Sequence, residues 1–125
     1  MSTRLLVHGF FAAMVAVTLG AFGAHGLKEL VSEQALTTWE TGVRYHMYHA
    51  FALIVAGLAA PHLGASSAIL AGRFFSVGIL LFSGSLYALA LTGMSALGAI
   101  TPLGGLAFIA GWWVLFRSAR ISCNT

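Results

Sequence analysis

The chain has 125 residues and a net charge of +3, and only 7% of its residues are charged, against about 25% in ordinary soluble domains. Because 59% of the residues are hydrophobic, so few charges exclude a soluble globule and indicate one integral membrane domain over residues 1–125. The dispersed basic residues exclude a nucleic-acid partner, and the single cysteine excludes an internal disulfide.

The first predicted element is a membrane-spanning helix over residues 5–24, close to the length of about 20 residues that crosses a bilayer. Small residues recur at every fourth position of this helix, which allows another helix to approach closely. They are Ala12, Ala16, Gly20 and Ala24. The stripe favours packing inside a helix bundle, and contact with a second copy of the chain is the alternative.

The second predicted element is a short amphipathic helix over residues 32–44. This stretch is polar, yet Leu36, Trp39 and Val43 keep the three- and four-residue spacing of a helix. Ser32 is a suitable residue to cap its start. We predict that the helix lies at the outer membrane surface, with Trp39 as its interfacial anchor, and continues into the next span.

Three further membrane spans are predicted, over residues 43–60, 70–92 and 101–117. The first of them is predicted to end at Pro61. The last is predicted to begin with Thr101 as a cap and Pro102 at the first helical position. The predicted fold is therefore all-α, a bundle of four transmembrane helices with an amphipathic interfacial helix between spans one and two.

The distribution of basic residues predicts the orientation of this bundle. With the N-terminus in the cytoplasm, four arginines lie inside, namely Arg4, Arg73, Arg117 and Arg120. Only Lys28 and Arg44 then lie outside. The positive-inside rule favours this arrangement, so we predict a multi-pass protein of the bacterial inner membrane with both termini in the cytoplasm.

Polar side chains near the outer ends of the predicted spans form a candidate site. The predicted cluster consists of His25, Glu40, Tyr45, His46, His49, Ser83, Tyr87 and Thr101. His46 and His49 are three residues apart and share a helix face. Imidazoles with a carboxylate can bind a metal, relay protons or hold a quinone, but hydrogen bonding between helices explains the same residues. We therefore assign no cofactor and no catalytic residue.

Four motifs occur along the chain in a fixed order. They are GAFGAHGL at 20–27, YHMYH at 45–49, LFSGSLY at 81–87 and ITPLGG at 100–105. Together they resemble the family called domain of unknown function 423, the YgdD-like small membrane proteins. The resemblance covers nearly the whole chain and implies a four-span protein of the bacterial inner membrane. It implies no reaction, substrate or cofactor.

The functional prediction is a non-catalytic membrane protein with a packing, accessory or assembly role. Its expected partners are membrane lipids, and a second copy or another membrane protein can use the small-residue stripes. One alternative is a binding protein for a lipid, quinone or metal at the outer-leaflet cluster. Another is a small transporter or channel that works as an oligomer, although the inner halves of the spans carry few polar residues.

Overall fold

The computed structural model describes all 125 residues, and helices joined by short turns make up the fold, with no strand. The α-helices are α1 (Thr3–Ala24), α2 (Glu33–Leu63), α3 (Ala65–Gly78), α4 (Gly84–Thr92) and α5 (Thr101–Cys123). A π-helical turn, Ile79–Ser83, joins α3 to α4. Short 3₁₀ turns, Leu27–Glu29 and Ser95–Ala99, precede α2 and α5. The all-α prediction is confirmed.

Three helical stretches are long and apolar enough to cross a membrane. They are Thr3–Glu29, Ala65–Thr92 and Ser95–Cys123. Helix α2 has 31 residues, which is also sufficient length, but its first half holds acidic, basic and histidine side chains. Length and hydropathy therefore establish three apolar helices, and the position of α2 must be judged from its packing.

Helix α2 is the central helix of the fold, because it packs against α1, α3, α4 and α5. Its inward face is built mostly from small residues, which allow these helices to approach it closely. The main core forms around Leu53 of α2, with Leu5, Phe75 and Leu115 supplied by the surrounding helices. The inward polar groups of α2 are consequently shielded by protein rather than exposed to the surroundings.

The helix predicted from residue 32 begins there and continues into the next span as predicted, but the role predicted for Trp39 is wrong. Ser32 caps a helix as predicted, since its hydroxyl oxygen accepts a hydrogen bond from the Ala35 N–H at 3.1 Å. The helix then continues without a break to Leu63. Trp39 is only 3% exposed, so it is not a surface anchor. Gly23, in the last turn of α1, leaves the space that the indole ring fills.

Pro61 does not end the second predicted span but lies inside the last turn of α2. Proline has no N–H, so the carbonyl of Gly57, four residues earlier, lacks its usual helical donor. The backbone N–H of Ser2 donates to this carbonyl at 2.9 Å. The helix ends two residues later, at Leu63. The next residue, Gly64, has a φ of +88°, a value that residues other than glycine rarely adopt.

Both chain termini lie at the same end of the bundle. Ser2 bonds to α2 near its C-terminal end, and the Ser122 hydroxyl donates to the His62 carbonyl at 2.9 Å. Arg4, Arg117 and Arg120 lie in the helix segments nearest this end, and Arg73 lies about two turns into α3. All three acidic residues, Glu29, Glu33 and Glu40, belong to the 3₁₀ turn after α1 and the first turns of α2. The two ends of the molecule therefore differ in charge.

The small-residue stripes pack inside the chain. On α1, Ala16 is fully buried and Gly20 faces Val43, but Ala24 is exposed, and Gly9 makes the closest approach to α2. On α5, the stripe formed by Gly104, Ala107 and Gly111 is buried.

Candidate functional site

A hydrogen bond between His46 and Tyr87 joins α2 to α4. The Nδ1 atom of His46 and the hydroxyl of Tyr87 are 2.9 Å apart, and the imidazole is only 5% exposed. The phenol ring lies over Gly42, where an added Cβ would stand 2.9 Å from its Cε1 atom. It also contacts the Trp39 ring, with 4.7 Å between the centroids. A glycine on α2 thus creates the space for the tyrosine that bonds to His46.

Ser83 forms a second hydrogen bond to α2, from the π-helical turn that precedes α4. It is completely buried at the end of the π-helical turn, and its hydroxyl donates to the Gly42 carbonyl at 2.7 Å. The turn is closed by the Gly84 N–H, which donates to the Ile79 carbonyl five residues earlier. Such a turn admits one residue more than an α-helical turn and changes the direction of the side chains beside it. Here the turn places Ser83 against α2.

His49 joins α2 to α5 and uses both of its ring nitrogens. The indole N–H of Trp112 donates to Nε2 at 3.1 Å, and because indole only donates, this nitrogen carries no proton. The proton is then on Nδ1, which donates to the Tyr45 carbonyl at 2.7 Å. The imidazole also stacks on Phe108, with centroids 3.5 Å apart and planes inclined by 6°. The geometry therefore defines one neutral tautomer, with no nitrogen free to bind a metal.

Ser85 and Thr101 join α4 to α5. The Ser85 hydroxyl donates to the Phe82 carbonyl at 2.9 Å, so the Thr101 hydroxyl donates to Ser85 across their 2.6 Å separation. The predicted capping role of Thr101 is wrong, because Ile100 occupies the cap position and no side-chain cap bond forms. Pro102 is the second residue of α5, one position later than predicted. The threonine hydroxyl serves a contact between helices instead.

Two predicted members do not join these contacts. His25 follows α1 and is exposed, and Glu40 is exposed on the outward face of α2. Arg44 and Phe51 lie on the same outward face, whereas Trp39 and His46 point inward. The prediction of one cluster is therefore wrong for His25 and Glu40. Tyr45 contributes its backbone carbonyl, and its side chain lies at the surface.

Sequence reasoning missed the two tryptophans of the network. The Trp39 indole donates to the Leu19 carbonyl of α1 at 2.9 Å, and Trp112 donates to His49. A buried tryptophan ordinarily needs an acceptor for its N–H, which is a signal that a partner exists. The identity of that partner depends on which helices become neighbours. We call Trp39, His46, His49, Ser83, Ser85, Tyr87, Thr101 and Trp112 the polar network.

The polar network is satisfied within the protein. No buried side-chain nitrogen or oxygen lacks a hydrogen-bond partner. No group of three histidine, cysteine, aspartate or glutamate side chains is placed to hold a metal ion. Five bonds of the network connect segments distant in sequence, and these bonds hold the helices in register.

Apolar helices arranged around a central helix with an internally satisfied polar network define an all-helical integral membrane protein. The chain belongs to the family described as "Protein of unknown function (DUF423)", which matches residues 19–105. This confirms the resemblance drawn from the four motifs. The matched range includes every member of the polar network except Trp112.

Similar proteins occur in Gram-positive bacteria. The chain is 50% identical to the UPF0382 membrane protein YwdK of Bacillus subtilis over 115 residues. This aligned region covers 91% of this chain and 94% of the relative. It is 46% identical over 115 residues to the UPF0382 membrane protein SH2409 of Staphylococcus haemolyticus, covering 90% and 92%. These names describe membrane proteins and state no reaction. No solved structure matches the chain.

Proposed function

We propose that this protein is a non-catalytic, four-span protein of the bacterial inner membrane that acts as a packing or assembly subunit. The observation that carries the proposal is the satisfied polar network. A catalytic site needs an acid, base or nucleophile that is free to react with a substrate. Here the imidazoles and hydroxyls inside the bundle are committed to contacts between helices.

The packing of α2 supports a fourth span. This helix contacts all the other α-helices, and its polar inward residues have protein partners. Polar side chains are tolerated inside a membrane when they face the interior of a bundle. The position of both chain termini at one end of the bundle also supports an even number of spans. The four arginines at that end favour a cytoplasmic location for it.

Cysteine labelling tests this topology. Cys123 is the only cysteine and is exposed, so a membrane-impermeant maleimide should label it only after the cells are permeabilised. In a Cys123→Ser background, Thr3→Cys should be protected in the same way, whereas Gln34→Cys at the start of α2 should be labelled in intact spheroplasts. If α2 did not cross the membrane, three spans would place residues 3 and 123 on opposite sides. Opposite labelling of these two positions would therefore overturn the proposal.

A second candidate function is the binding of a lipid or quinone in a groove between α2 and α5. The groove has a volume of about 440 Å³ and is lined by the side chains of Tyr45, Tyr48, His49, Phe82, Phe108 and Trp112, among others. Aromatic rings with a few polar tips suit a flat apolar ligand. The tyrosine hydroxyls offer hydrogen bonds at the surface, while His49 is already paired. This candidate would make the aromatic groove, and not the polar network, the functional feature.

Native mass spectrometry of protein purified in mild detergent distinguishes the two candidates. A packing subunit should carry no small molecule whose retention depends on the aromatic groove. Tyr48→Ala is the informative variant, because this side chain is 52% exposed and its loss should leave the fold unchanged. A lipid or quinone that is retained by the wild type and lost from Tyr48→Ala would overturn the packing role in favour of ligand binding. His25→Ala serves as the control for a substitution outside the groove.

A further inference from the structure

A groove runs between α1 and α3. Each of these helices packs against α2, but their backbones hardly approach each other, and His46 and Leu53 of α2 line part of the space between them. The half nearest the chain termini has a volume of about 330 Å³, and the adjoining half about 390 Å³. His8 and Ser76 line both halves, which therefore adjoin each other. We call this feature the α1–α3 groove.

The polarity of the α1–α3 groove changes along its length. Arg4 and Arg73 line the half nearest the chain termini, and both side chains are exposed. His8 and Ser76 follow at the middle. The adjoining half is lined mainly by apolar side chains such as Phe11 and Leu80, with His46 of α2 also in its wall. A ligand that fits this arrangement has an anionic head and an apolar tail.

The charge at the groove mouth is not neutralised by acidic side chains of the protein. All three glutamates belong to the opposite end of the bundle, so the two arginines have no carboxylate side chain beside them. Guanidinium groups bind phosphate oxygens through paired N–H donors, and two of them on facing helices can hold one phosphate from both sides. Leu5 packs against Gly72 between the two helices and closes the groove beneath the arginines.

We propose that the α1–α3 groove binds one anionic phospholipid. Its phosphate lies between Arg4 and Arg73, and one acyl chain runs past His8 and Ser76 into the apolar half beside Leu80. Basic pockets between membrane helices recognise lipid head groups in this manner. The two arginines lie outside the polar network, whose His46 lines the apolar half of the groove. The proposal does not depend on the packing role proposed above.

The test measures lipid retention by native mass spectrometry after addition of phosphatidylglycerol or the zwitterionic phosphatidylethanolamine. We expect one phosphatidylglycerol molecule to be retained at least about tenfold more often than phosphatidylethanolamine, a difference of about 1.4 kcal/mol. The double variant Arg4→Gln/Arg73→Gln should lose this preference. The matched control, Arg117→Gln/Arg120→Gln, removes the same charge at the same end of the bundle and should keep it.

A second variant tests the acyl-chain half. Leu80 is 73% exposed, so Leu80→Trp should leave the fold intact while it obstructs the apolar half of the groove. We expect this variant to lose phosphatidylglycerol although both arginines remain. An excess of inorganic phosphate should not displace the lipid from the wild type. Equal retention of both lipids, equal losses in the two arginine double variants, lipid retention by Leu80→Trp, or displacement by phosphate alone would each overturn the proposal.

Discussion

Gly104→Ala is expected to lower the free energy of unfolding by about 3 kcal/mol, near the upper end of the usual range for overpacked cores. A Cβ atom at this position would fall on the backbone N and Cα atoms of Phe82, in the π-helical turn. A backbone cannot rotate away as a side chain can, so α5 would have to move away from α4. That movement would also strain the hydrogen bond between Ser85 and Thr101.

The neighbouring glycine provides the matched control. A Cβ atom on Gly105 would meet only the Cδ2 atom of Phe82, at 3.9 Å, which is an ordinary van der Waals contact. Gly105→Ala makes the same chemical change on the same helix and should alter stability by no more than about 0.5 kcal/mol. Denaturation in a titration of SDS against mild detergent measures both variants. Equal stability of the two would show that α5 does not approach Phe82 as closely as the structure indicates.

His49→Ala is expected to lower the free energy of unfolding by about 3 kcal/mol. The change removes the ring that stacks on Phe108 and leaves a space between α2 and α5. It also leaves the Trp112 indole N–H without its acceptor. His25→Ala is the matched control, because this histidine is exposed and bonds to no side chain of the polar network, and we expect a change below about 0.5 kcal/mol.

Trp112→Phe separates the hydrogen bond from the packing of the imidazole. Phenylalanine keeps an aromatic ring but has no N–H, so the loss should be smaller, about 1 kcal/mol, in line with hydrogen bonds between membrane helices. The double variant His49→Ala/Trp112→Phe should lose less stability than the sum of the losses in the two single variants, because both substitutions remove the same hydrogen bond. Full additivity in the SDS titration would argue against the bond, and wild-type stability of His49→Ala would argue against a structural role for His49.

The helices pack closely mainly because glycines on one helix face aromatic rings on another. Gly23 faces Trp39, Gly42 faces Tyr87, Gly78 faces Phe108 and Gly111 faces Phe75, whereas Gly104 faces the backbone of Phe82. The periodicity of small residues predicted close packing on α1 and α5, and the buried α5 stripe agrees with it. It did not predict that the space would be filled mainly by rings from neighbouring helices, because the identity of the facing residue depends on the register between helices.

The sequence was sufficient to predict features that depend on interactions between residues close together in the chain. The composition and the length of the apolar runs determined an all-helical membrane protein, because helices satisfy their own backbone groups where water is absent. Ser32 acted as a cap through an acceptor three residues away. Pro61 failed as a stop signal because the carbonyl it frees is satisfied by Ser2, which is distant in sequence.

The candidate site was predictable only in part, because its hydrogen-bond partners are distant from one another in the sequence. The sequence by itself identified His46, His49, Ser83 and Tyr87 as polar groups that need an explanation inside apolar helices. Only the tertiary structure decided that His46 pairs with Tyr87, that His49 pairs with Trp112, and that His25 and Glu40 remain outside. A helix presents side chains in every direction, and the rotation of α2 relative to its neighbours determines which of them are buried and what they bond to.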